Sequence, residues 1–267
     1  MPGTLPRMNL RIFAACAAIA AFPAWGQADT ESLAKAAQNP VAPMISLPLQ
    51  DEMGFGYGPT KQLRNVLGVD PVVPVGLSPA WNLITRTIVP LVSQPGLTEY
   101  TFGIGNINLT AFLTPAEPGT LIWGIGPVIT FPSATSPQVG SQSTWGLGPS
   151  VVFLTMPGHW VIGVLANNVW SIAGDTANNL LVQYFVNFNL PEGWYLTSSP
   201  IITADWEASP GNKWLVPFGG GLGKIFRIAK LPFNAGVSAF YNAVKPDVGP
   251  EWTLRIQLAL LFPESVL

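Results

Sequence analysis

Residues 251–262 alternate almost without fault. Trp252, Leu254, Ile256, Leu258, Leu260 and Phe262 fall on one side; Thr253, Arg255, Gln257 and Ala259 fall on the other, with Leu261 the one apolar intruder. An extended strand sends successive side chains to opposite faces. One face is therefore oily from end to end, with an aromatic at each tip, and the other is mostly polar. A strand with lipid on one side and a wet lumen on the other has this pattern. It recurs along the chain.

Composition narrows the choice further. The chain is 48% hydrophobic and 10% charged, against roughly 25% charged in soluble domains. Yet outside the N-terminus there is no run of about 18 apolar residues, as a transmembrane helix requires. The best stretch, 151–173, is broken by Pro157, Gly158 and His159 and by Asn167 and Asn168. Gly and Pro number 27 each, which is hostile to long helices. A membrane-like composition without membrane helices leads to a closed β-barrel.

The first 28 residues read as a secretory signal: Arg7 and Arg11, then the apolar stretch 12–22, then small residues around Ala24, Gly26 and Ala28. Cys16, the only cysteine, lies inside it, so the mature chain would carry no disulfide or thiolate site. Loss of Arg7 and Arg11 leaves 10 basic against 14 acidic residues, and no basic patch suggests nucleic acid. Residues 29–42 are polar and Ala-rich, a periplasmic segment or plug that Pro40 and Pro43 would end. Residues 43–267 form the expected barrel.

Twelve strands are predicted: 43–50, 63–77, 80–93, 103–114, 119–132, 143–156, 159–173, 178–190, 193–208, 213–228, 232–244 and 251–262. The connections alternate between tight turns (78–80, 114–119, 156–158, 190–193, 229–231) and looser ones (51–62, 94–102, 134–143, 174–179, 208–212, 245–250). The expectation is an all-β, antiparallel up-and-down transmembrane barrel with short periplasmic turns and longer outer loops. The even strand count puts both termini in the periplasm. Such a protein would sit in the bacterial outer membrane and be inserted by the barrel-assembly machinery. Pro71, Pro74, Pro90, Pro127, Pro149, Pro200 and Pro217 resist this reading, because proline cannot donate to a ladder.

Indole prefers the headgroup level. Trp81, Trp123, Trp145, Trp160, Trp170, Trp194, Trp206, Trp214 and Trp252 lie near strand ends on apolar faces, and with Phe262 form the expected girdle. The same parity turns Arg64, Asp70, Arg86, Asn106, Asn108, Gln183, Asn187, Asp205, Glu207, Arg255 and Gln257 toward the lumen as pore-lining residues. Parity points Lys224 outward, unless a bulge in the glycines 219–221 reverses it. WGIGPVITF (123–131) echoes WGLGPSVVF (145–153) on the neighbouring strand.

No catalytic constellation emerges, and the expectation is a protein that is not an enzyme. His159, the only histidine, reads as a turn residue, and Val161 stands where a His-x-Ser pair would need serine. There is no Gly-x-Ser-x-Gly elbow. Asp205 and Glu207 would sit about 7 Å apart on one strand face, as lumen charges. Residues 219–224 fail the phosphate-loop spacing, with Phe218 in place of the first Gly and Ile225 after the Lys. No metal or cofactor is expected. On strands two, three and twelve, Arg64, Arg86 and Arg255 would form one basic wall facing the acids of strand nine. The competing reading is a network that braces a closed lumen.

The stretches NPVAPMISLPL (39–49), WNLITRTI (81–88), FVNFNLPEGWYLTSSP (185–200) and GGGLGK (219–224) resemble outer-membrane proteins of the MetA-pathway of phenol degradation family, some of which carry the label neuromedin U. The resemblance spans essentially the whole mature chain. It implies a β-barrel and a transporter role, and brings no catalytic residues. The functional expectation is passive passage of small solutes, including small organic or aromatic compounds. The alternative is a plugged structural or secretion-related barrel.

Overall fold

The computed structural model describes residues 30–229 and 231–263; the expected signal and Lys230 lie outside them. Helix α1 (Thr30–Ala37) precedes fifteen strand segments: β1 (Met44–Tyr57), β2 (Gln62–Val69), β3 (Val72–Ser78), β4 (Trp81–Pro95), β5 (Tyr100–Ile104), β6 (Asn108–Pro115), β7 (Leu121–Thr130), β8 (Trp145–Thr155), β9 (Trp160–Ala173), β10 (Asn178–Asn189), β11 (Trp194–Ser198), β12 (Ile201–Asp205), β13 (Trp214–Ile228), β14 (Leu231–Val244) and β15 (Trp252–Pro263). Neighbours pair antiparallel, and β1 pairs with β15 from Met44–Pro263 to Phe55–Trp252, so the sheet closes. Three staves are each broken in two, as β2/β3, β5/β6 and β11/β12. Fifteen segments therefore make a barrel of twelve staves, the expected architecture.

Prolines account for much of the breakage. Pro71 and Pro200 occupy two of the breaks, and Pro217 sits at a register shift after Val216. Pro127 and Pro149 face each other across β7 and β8. Their far-side ladders lapse at the same level: β6–β7 pairing skips Gly126 and Pro127, and β8–β9 pairing skips Gly148 and Pro149. Two ladders thus give up bonds that proline could not supply. Gly126 and Gly148 allow the close approach, since a Cβ on either would strike the carbonyl of Ala111 or Asn168. This also explains the echo. The two copies pair with each other about a local twofold, so Trp123 lies opposite Phe153 while Phe131 packs edge-on to Trp145 at 5.4 Å. Pro74 and Pro90 are paired on one side, opposite Ile84 and Gly68, and the ladder on the other side of β4 skips Val89 and Pro90, level with the β5/β6 break.

Two boundaries differ from the sequence reading. Strand β1 continues to Tyr57, so the outer loop expected at 51–62 shrinks to 58–61. The Asp51–Glu52 pair looked like a loop, but the two carboxylates point to opposite faces of one strand. Strand β12 ends at Asp205, which places Trp206 and Glu207 in a turn, not on the strand. Lys224 points outward, its ammonium 4.6 Å from the Trp194 ring centroid. The bulge of that strand lies at Val216–Pro217, outside the glycine run.

The outer face is apolar. Ile125, Leu147, Phe153, Ile162, Leu196, Leu222, Val237, Ile256 and Leu258 are exposed on it. Among the aromatic residues, Trp81, Trp145, Trp160, Trp170, Trp194, Trp206, Trp214 and Trp252 are exposed, while Trp123 is half-buried edge-on to Trp81 at 5.9 Å. Phe262 is half-buried at the opposite end of β15 from Trp252. A lipid-facing wall of this kind has to be closed, because hydrocarbon offers no partner for an open edge.

Candidate lumen site

The first described residues enter the barrel. On α1, Leu33 and Ala34 are buried against Met44, Ile225, Ala259 and Leu261, on the inner faces of β1, β13 and β15. Burying a leucine this way contributes roughly 1.5–3 kcal/mol. The helix stops at Asn39 and Pro40, where the Asn39 side chain accepts from the Val41 N–H. Val41 then crosses to the other side of the lumen. There it packs with Ile84, Phe112, Val152, Leu154, Val161, Leu165 and Phe185, an apolar cluster drawn from β4, β6, β8, β9 and β10. Gly124 leaves the space for it, with Val41 Cγ1 3.0 Å from where a Cβ would lie.

Polar contacts fix the same segment. Gln38 Nε2 donates to Asn189 Oδ1 at 2.9 Å. Glu31 Oε1 receives Lys35 Nζ at 3.1 Å and lies 3.2 Å from His159 Nδ1. The hydrogen bond from Lys35 holds the Glu31 carboxyl below the usual carboxylate range, and His159 adds to the effect. His159 does sit in its turn, but it also anchors the helix. Nothing in the local sequence signals a contact between positions 31 and 159.

The lumen charges are paired one by one, and the basic wall expected from Arg64, Arg86 and Arg255 does not form. Arg255 is buried; its Nε lies 3.0 Å and its second terminal nitrogen 2.8 Å from Glu52 Oε1. The remaining nitrogen donates to the Ser199 carbonyl at 2.8 Å, and the guanidinium rests 4.9 Å from the Phe240 ring centroid. Arg86 meets Asp70 Oδ2 at 3.3 Å. Arg64 donates to Gln94 Oε1 at 2.7 Å and lies over Tyr57. Glu52, which lies in the stretch expected to be a loop, faces inward and neutralises Arg255, while Asp70 and Gln94 engage Arg86 and Arg64. The opposing acid pair is also lost, since Glu207 is exposed in the turn and its N–H binds Asp205 Oδ1.

Two cavities lie along the lumen among the described residues. The larger, about 750 Å³, lies toward the outer loops. Its walls carry Asn106, Asn108, Asn167, Asn179, Thr130 and Thr203 beside Ile88, Val128, Val169 and Leu181. Pairing sets Asn167, Leu181, Thr203 and Leu215 in one inward row across β9, β10, β12 and β13. Among the described residues, the side chains of Asn167, Asn179 and Thr203 make no hydrogen bond, so their donors and acceptors are free for water or solute. Charge is confined to Asp175, Asp205 and Lys213.

The loop 131–144 folds into this mouth. Ala134 and Val139 cover Val92 and Val66 on the inner wall, and Thr135 fits over Gly103, which has no side chain to obstruct it. Asn106 pins the loop: Nδ2 donates to the carbonyls of Phe131 and Ser141, at 2.8 and 2.6 Å, and Oδ1 accepts from Ser141 N at 2.7 Å.

The smaller cavity, about 180 Å³, borders the N-terminal segment and is lined by Asp70, Arg86, Gln183, Asn187 and Gln257 together with Gln38 and Asn39. The residues expected along one pore thus divide. Asn106, Asn108 and Asp205 border the outer cavity; Asp70, Arg86, Gln183, Asn187 and Gln257 border the inner one; Arg64 and Arg255 line neither.

No family model matches the sequence, and no curated protein is similar to it. Solved structures are similar in fold. A crystal structure of an outer membrane channel from Pseudomonas putida F1 superposes with a TM-score of 0.61 at 16% identity, covering 82% of this chain and 94% of that one. Outer membrane phospholipase A from Escherichia coli gives 0.42 at 12% identity, with 83% and 97% covered. A Pseudomonas aeruginosa FadL homologue gives 0.41 at 11%, with 85% and 93% covered. The chain is thus an outer-membrane β-barrel, set in a lipid bilayer by its apolar belt. The expectation that it is not an enzyme has to be corrected. A phospholipase stands among the similar barrels, so this architecture does not by itself decide for or against catalysis.

Proposed function

We propose that this barrel is a channel for small uncharged organic solutes, held shut at its periplasmic end by residues 30–43. The observation that carries the reading is the outer cavity. It is roomy, walled by carboxamides, hydroxyls and aliphatic side chains, and its hydrogen-bonding capacity is partly unused. Deeper in, Arg86 and Arg255 are each neutralised by an acid, so the lumen offers ions little attraction of either sign. A pore lining of this kind favours neutral solutes. The similarity to the P. putida channel supports passage. The resemblance of residues 39–49, 81–88, 185–200 and 219–224 to the MetA-pathway of phenol degradation family points to small organic or aromatic compounds.

The N-terminal segment favours a second reading, a barrel that stays shut and serves a structural or secretion-related role. Planar-bilayer conductance of the mature chain, beside a chain lacking residues 30–39, separates the two. The channel reading expects small or rare openings from the first and large, steady ones from the second. A shortened chain that is folded yet silent would refute it.

A further inference from the structure

The apolar belt carries a carboxylate. Strand β1 turns Ile45, Leu47, Leu49, Asp51, Met53 and Phe55 outward, opposite Phe262, Leu260, Leu258, Ile256, Leu254 and Trp252 of β15. Asp51 is therefore level with Ile256, which is 44% exposed on the lipid face. It stands roughly 13 Å along the strand from the Phe55–Trp252 rim, at about 3.3 Å per residue, and farther from the inner rim at Ile45–Phe262. That places a carboxylate well inside the hydrocarbon layer. Asn65, outward on β2, donates its side-chain amide to Asp51 Oδ1, and Ser93 on β4 lies directly opposite Asn65.

The outer tryptophan girdle changes over the same staves. Trp145, Trp170, Trp206, Trp214 and Trp252 follow one another at the outer ends of the staves from β8 round to β15. Strands β1, β2, β4 and β5 carry no tryptophan at that rim, where Phe55, Tyr100 and Phe102 are the exposed aromatics. An ionisable group within the membrane marks a functional contact.

We propose that the β1–β2 face is the contact surface of a homodimer, with Asp51 and Asn65 at its centre. The chemistry identifies the occupant as a second copy of this chain. Among the described residues, Asp51 Oδ2 and the second N–H of Asn65 make no hydrogen bond. A surplus acceptor and a surplus donor side by side form a self-complementary set. Two copies related by a twofold along the membrane normal can satisfy both, with the carboxylate of each facing the amide of the other. An isologous interface has this property. Lipid chains offer no such partner.

The test uses the full mature chain in lipid vesicles. That chain has no cysteine of its own, so Ser209→Cys in an outer loop takes a single donor or acceptor dye. Energy transfer is followed as lipid is added to dilute the protein. The wild type should dimerise, and Asp51→Leu and Asn65→Leu should each raise the dimer dissociation constant at least tenfold. Both exchange a polar group for an apolar one on the outer face, so folding, monitored by heat-modifiable gel mobility, should persist. A wild type that stays monomeric at every dilution would overturn the proposal. So would folded Asp51→Leu and Asn65→Leu variants that dimerise as the wild type does. Closure of the lumen plays no part in this readout, so the proposal can fail or stand independently of the channel reading.

Discussion

Replacing Glu52 should weaken the barrel more than replacing Arg255, although the two form one ion pair. The asymmetry follows from burial. The Arg255 side chain is 5% exposed and that of Glu52 31%. Removing the acid leaves a guanidinium in the wall with the Ser199 oxygens and the Phe240 ring but no counter-charge, and breaking a buried pair this way costs about 3–5 kcal/mol. Lumen water reaches the Glu52 side, so the lower end, about 3 kcal/mol, is the expectation for Glu52→Leu. Removing the arginine leaves a carboxylate that can hydrate and that keeps its hydrogen bond from Gln50 Nε2 at 3.1 Å. The expectation for Arg255→Leu is then about 1–2 kcal/mol, the scale of lost charged hydrogen bonds. The double variant strands no charge and should resemble Arg255→Leu. Urea unfolding in lipid vesicles, followed by tryptophan fluorescence, measures all three. If Arg255→Leu proved as costly as Glu52→Leu, the guanidinium would have to be solvated, and the account of a sealed Glu52–Arg255 contact would be wrong.

Other perturbations test the two ends of the lumen. Asn106→Ala removes three of the hydrogen bonds that pin the loop 131–144, so amide exchange in that loop should rise by about one to two orders of magnitude, about 1–3 kcal/mol of local stability, while exchange in β14 and β15 stays unchanged. The Glu31 carboxyl is held below its ordinary value by Lys35 and then by His159. A depressed carboxylate stabilises the folded arrangement above its unfolded value and loses that contribution as pH falls through the folded one. Exchange of the α1 amides should therefore quicken below about pH 4, near and under the reference value for Glu, and Glu31→Gln should abolish that pH dependence.

Much of the barrel could be read from sequence because a half-buried strand has a period of two whatever its neighbours do. The alternation of residues 251–262 gave β15 its faces, and parity alone put Lys224 outside. The failures came where distant chain meets distant chain. Glu52 falls in a polar stretch, 51–62, that reads as a loop. Yet Ser46, Gln50 and Glu52 are in phase, and that phase was the available signal for an inward acid near Arg255. The contact between Glu31 and His159 had no local signature. Neither did the inward fold of residues 131–144, which depends on Gly103 leaving room on another strand. The three arginines fall on neighbouring staves in the sequence reading, but their partners Gln94, Asp70 and Glu52 emerge only from the closed structure.

The position of residues 30–43 bears on the order in which the molecule is made. The helix at the start of the described chain rests on Ile225, Ala259 and Leu261, which come near its end. The closing seam joins β1 to β15, 197 positions apart at Phe55–Trp252 and 219 at Met44–Pro263. Contacts of such long range form late, because the intervening chain must first be ordered. The seat of the helix therefore does not exist until the last strand has docked. Through most of assembly the interior is unobstructed, and the stroke that completes the wall also creates the stopper's socket.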